Sequence, residues 1–102
     1  MPRLLFAHRD FPYFAPRLQA AFPQLEIDTA VDLPAAEGRL GNAEIIVSVD
    51  HTFNDARLAA APKLRWIQTM TTGTDALERA RTLRKDIVIT NMRGIQIGRA
   101  HV

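Results

Sequence analysis

The sequence has no cysteine, so disulfides and thiolate-metal sites are excluded. It has no apolar run long enough to span a membrane, and its opening MPRLLFA is too short an apolar stretch for a signal peptide. The expected setting is therefore cytoplasmic, with no membrane partner. Nor is there a large excess of one charge: 13 Lys and Arg face 11 Asp and Glu, for a net charge of +2. The basic residues are scattered apart from a cluster over 79–85, which excludes a nucleic-acid interface as the expectation. Internal repeats, low-complexity stretches and linkers are lacking too. The five glycines stand at 38, 41, 73, 94 and 98 and build no G-x-G-x-x-G loop for a dinucleotide phosphate.

What is present is the composition of one small folded domain: 102 residues, 47% of them hydrophobic and 24% charged. Three β-type runs cover 3–7, 44–49 and 87–90, and weaker ones cover 25–31 and 64–69. IIVSV (45–49) and IVI (87–89) are nearly continuous apolar runs, the pattern of parallel strands covered on both faces. Helical segments fall between them. Phe14, Leu18, Ala21 and Phe22 share one helical face before Pro23, with Pro12 and Pro16 blurring its start. Thr52 is expected to cap a second helix, with Asp55 three residues on and Pro62 as its stop. A third helix is expected over 73–81 and a weaker one over 35–40. The alternation predicts an α/β fold: a flavodoxin-like open parallel sheet of about five strands in the order 2-1-3-4-5, with helices on both faces. Ligands gather at the carboxyl ends of such strands, here at 8–11, 49–52, 70–75 and 91–95.

The most informative stretch is APKLRWIQTMTTGTDAL, residues 61–77. A strand runs into a turn at Gly73 and a helix follows at once. Thr72 is the expected N-cap, with Asp75 three residues on. The N–H groups around Thr72, Gly73 and Thr74 then form a small anion site suited to a carboxylate. The same spacing equally suits a well-capped helix that binds nothing.

Taken with IVITNMRGI (87–95), this stretch resembles the N-terminal lobe of the D-isomer-specific 2-hydroxyacid dehydrogenases. That family carries a P-x-L-(K/R)-x-I strand, a turn ending in Asp and a (V/I)-T-N-x-x-G strand end at similar intervals. The resemblance implies a substrate-binding lobe, truncated before the Rossmann NAD-binding domain. The turn at Thr72-Gly73 would hold the carboxylate of a small 2-oxo or 2-hydroxy acid, and Asp75 would be structural. The segment 91–94 would lead to the interdomain hinge, where Arg93 would contact substrate or brace the hinge beside Gly94. His51, at a strand end, would line the cleft or simply stand in an exposed loop. The family's chemistry is hydride exchange with NAD or NADP, using an Arg, a His and a Glu that all follow position 102. No catalytic, cofactor-binding or metal-ligating residue is therefore expected in this chain, neither His8 nor His51 is assigned as the base, and activity and homodimer formation are expected of the full-length protein.

The last six residues, IGRAHV (97–102), are what one frame of the sequencing adapter AGATCGGAAGAGCACACGTC encodes. The two bases ahead of that frame require a preceding codon ending in AG, which Gln96 satisfies. The expectation is thus a partial substrate-binding domain over 1–95 followed by non-native read-through over 96–102. The competing functional reading is a stand-alone flavodoxin-like binding or phosphoreceiver module, with Asp10 and Asp50 near the acidic positions such a site needs. It lacks the acid pair, and the stretch after the last strand supplies no Lys.

Overall fold

The computed structural model describes residues 2–71, 73 and 75–91 in full, and the backbone of 95–97. Among them run β1 (Arg3–Ala7), α1 (Phe11–Ala21), β2 (Glu26–Ala30), a 3-10 helix (Pro34–Asn42) and β3 (Ile45–Ser48). A short 3-10 turn (Asp50–Thr52), α2 (Asp55–Ala59), β4 (Trp66–Thr69), α3 (Asp75–Arg79), β5 (Val88–Thr90) and β6 (Ile95–Ile97) follow. The sheet order is β2-β1-β3-β4-β5-β6. The first five strands are parallel and in the predicted 2-1-3-4-5 order, and β6 pairs antiparallel with β5 as an added edge.

Side-chain alternation along each strand divides the core into two unequal parts. Leu5, Ile46, Ile67 and Ile89 face the side covered by the 3-10 helix, α2 and α3, where Leu33, Leu40, Leu58, Leu64 and Leu77 close over them. Leu4, Phe6 and Val47 face the other side, packed by the half-buried Phe14 and Leu18 of α1. No residue of α1 is fully buried, because among the described residues it is the one helix on its face and it spans the β1 side. On the same face of β4 and β5 no helix of the described residues lies over the sheet. There Trp66 is 41% exposed, and its indole N–H donates to the Thr90 hydroxyl at 2.8 Å.

The helices differ from the predicted ones for local reasons. Helix α1 begins at Phe11 and runs through both prolines: Pro12 lies in the first turn, where no intrahelical donor is needed, and Pro16 removes one rung. Thr52 does not cap α2. It closes the 3-10 turn, and the Asn54 side chain accepts the Arg57 N–H at 2.8 Å as the true cap. Helix α3 stops at Arg79 rather than 81, because the N–H groups of Arg81 and Thr82 turn to the Asp55 carboxylate at 2.6 and 2.9 Å. Residues 35–40, predicted α-helical, lie within the 3-10 helix, whose Ala36 and Leu40 are the buried pair.

Two buried hydroxyls, of Ser48 and Thr52, fix the carboxyl edge of the sheet. The fully buried Ser48 hydroxyl donates to the Ala7 carbonyl at 2.7 Å and lies 3.1 Å from the Thr52 hydroxyl, which donates to the Val49 carbonyl at 2.6 Å. Removing one such hydrogen bond costs about 1 kcal/mol. Ser48→Ala should therefore lower the unfolding free energy by about that amount, and Ser48→Val by more, since its methyls crowd the Thr52 hydroxyl. Urea titration of the three proteins reads the order directly.

Asp55 yields a second expectation. Its carboxyl is held below the ordinary value first by the Thr82 N–H, against desolvation, then by the Thr82 hydroxyl, the Arg81 N–H and the Arg81 charge. A lowered folded-state pKa contributes stability above the unfolded value, and that contribution is lost as pH falls through the folded one. Asp55→Asn should be less stable than the parent at neutral pH, with the gap closing in acid. Denaturation midpoints at neutral and at acid pH test this.

Candidate functional site

The carboxyl ends of the parallel strands bring together the loops after β1, β3 and β4. Strand β4 ends at Thr69, whose hydroxyl donates to the Thr71 carbonyl at 2.9 Å and so begins the turn toward α3. The Thr71 hydroxyl in turn contacts the Gly73 carbonyl at 3.3 Å. Gly73 is exposed at this edge, and a Cβ added to it would meet none of the described residues within 4 Å. Its backbone is also outside the left-handed region, so the fold itself does not require glycine there. Thr72 and Thr74, predicted to complete the anion site, lie outside the described residues, as do Arg93 and Gly94.

The N-terminus of α3 has an acceptor that comes from a different loop. Its free N–H groups at Ala76 and Leu77 donate to the Asp50 carboxylate, at 2.8 Å to Oδ2 and 3.2 Å to Oδ1. This internal anion comes from the loop after β3, and those two donors are therefore not open to a ligand. Nothing in the sequence signalled the pairing, because the partners are 26 and 27 residues apart. An acid just past a strand, facing a helix start on the neighbouring strand's loop, was the only available hint. Asp50 is also one of the acids on which the phosphoreceiver reading leaned. With its two oxygens engaged by backbone N–H groups, and no group of three acids or histidines able to hold a cation among the described residues, that reading is not favoured.

His51 is exposed on the 3-10 turn after β3. It lines an open cleft of about 650 Å³ with Ala7, His8, Arg9, Asp32 and Thr52, at the ends of β1, β2 and β3. Gly73 is not among the residues lining it. Within the cleft, His8 Nδ1 accepts the Asp10 N–H at 3.0 Å, which folds the β1 loop back on itself. Arg57 is engaged by Glu37 at 2.8 Å and by the Thr52 carbonyl at 2.6 Å, so it braces the cleft wall. Gly38 and Gly41 lie in the 3-10 helix, and Gly73 stands alone between β4 and the five-residue α3. No helix among them is long and apolar enough to cross a membrane.

Comparison with known proteins gives this edge a context. The family described as "D-isomer specific 2-hydroxyacid dehydrogenase, catalytic domain" matches residues 5–97. Among solved structures, a D-isomer specific 2-hydroxyacid dehydrogenase family protein from Aeromonas salmonicida subsp. salmonicida A449 is 35% identical, with a TM-score of 0.77. The match covers 91% of this chain and 30% of that one, so the chain spans less than a third of that protein's length. No curated protein matches.

Proposed function

Because the chain belongs to the D-isomer-specific 2-hydroxyacid dehydrogenases through their catalytic domain, we propose that it is the substrate-binding lobe of an NAD(P)-dependent enzyme interconverting small 2-oxo and D-2-hydroxy acids. In this reading the N–H groups of the Thr72-Gly73-Thr74 turn hold the substrate carboxylate. Arg93 and Gly94 lie at the hinge toward a second lobe, and His51 faces the cleft between the lobes. The observation that carries the reading is the open space beside Gly73. A glycine whose conformation is ordinary and whose missing Cβ meets no atom of the described residues suits a backbone that a ligand approaches closely.

The catalytic Arg, Glu and His and the Gly-rich cofactor loop are assigned to further sequence of the same gene product, together with NAD or NADP binding and homodimer formation. The chain alone is then inactive, and the expected compartment is the cytoplasm. We assign 1–95 to the native domain and 96–102 to adapter read-through. The nucleotides beneath codons 97–102 in an independent clone decide that assignment: any sequence other than the adapter's removes it.

Two measurements bear on the function. The full-length gene product should oxidise NADH or NADPH in the presence of a 2-oxo acid such as glyoxylate or pyruvate. Gly73→Ala should leave its thermal stability within about 0.5 kcal/mol of the parent, since the new methyl meets open space, yet raise KM for the 2-oxo acid. An enzyme indifferent to that methyl would place the carboxylate elsewhere.

A further inference from the structure

The turn between β4 and α3 is tied at both of its ends to one place. On the strand side the Met70 N–H donates to the Ser48 carbonyl at 2.8 Å, and on the helix side the Ala76 N–H donates to the Asp50 carboxylate at 2.8 Å. Met70 and Ala76, the described residues on either side of the turn, are therefore held by two anchors only two residues apart at the end of β3. The Ser48 anchor is rigid, being fully buried and held to β1 through the Ala7 carbonyl. The Asp50 anchor is bidentate: Oδ2 takes Ala76 and Oδ1 takes Leu77, whose own side chain is fully buried. Leu77 sets the depth of α3, and Asp50 sets its rotation and approach to the β3 loop.

We infer that Asp50 is the positioning residue for the carboxylate-binding turn, acting through the N–H groups of Ala76 and Leu77 rather than by touching substrate. The inference rests on the proposed carboxylate site. Its physical content is that ligand-facing N–H groups are effective only when already aimed, and one of the two anchors that aim them is a single side chain. Asp50 also has an electrostatic effect. Its charge fills the positive end of α3, so a substrate carboxylate is steered away from Ala76 and Leu77 and toward the turn upstream.

The test uses the full-length enzyme with Asp50→Ala and Asp50→Asn. Asp50→Ala should raise KM for the 2-oxo acid, and the inhibition constant of oxalate as a carboxylate probe, about tenfold or more. The KM for the nicotinamide cofactor should stay at the wild-type value. Asp50→Asn keeps the shape and one acceptor oxygen and should fall between the two, so it carries the test if the alanine variant does not fold. Added formate should restore part of the loss in Asp50→Ala by refilling the vacated carboxylate position. Wild-type KM and oxalate inhibition in a folded Asp50→Ala or Asp50→Asn protein would overturn the inference, as would equal losses for substrate and cofactor. A wild-type enzyme that uses no 2-oxo acid and does not bind oxalate removes the carboxylate site itself. That outcome is recognised before any variant is made.

Discussion

Burial of the sheet face toward the 3-10 helix, α2 and α3 is the constraint on which the other features depend. Leu33, Leu40, Leu64 and Leu77 are essentially fully buried against Ile46, Ile67 and Ile89. Each fully buried side chain of this kind contributes about 1.5–3 kcal/mol. Helices as short as α2 and α3 have little stability of their own, so their positions follow from where their leucines are buried. The polar contacts at the carboxyl edge then refine what the apolar layer has placed. Ser48, Thr52 and Thr69 are buried there, and each finds a hydrogen-bond partner.

Much of this was legible before the structure. The nearly continuous apolar runs at 45–49 and 87–89 marked β3 and β5 because both faces of a central parallel strand are covered, and the alternation of elements gave the sheet order. Helix ends were less legible. The start of α2 and the end of α3 depend on Asn54 and Asp55, and Asp55 accepts from residues 26 and 27 positions away. The segment 35–40 was read as α-helical, whereas it lies within the 3-10 helix Pro34–Asn42. The edge strand β6 (Ile95–Ile97) went unread because 96–102 reads as adapter read-through.

At the candidate site the turn was found from its residues, and its support was not. Gly73 stood out because it falls between a strand and a helix. Asp50 did not, because its role depends on two loops that only the parallel order β3-β4 makes neighbours. Local sequence thus located the backbone proposed to hold the carboxylate. Asp50, the side chain inferred to position it, belongs to a different crossover.

Trp66 has a consequence of another kind. It is the single tryptophan of the chain, and it stands on the helix-free face of β4. Its indole is tethered to Thr90, whose hydroxyl in turn donates to Gln68, so the ring is held rather than free to rotate. All indole emission from this chain therefore has one source, a fixed chromophore with one side in water. Its wavelength is a built-in gauge of how dry the outer surface of the sheet becomes.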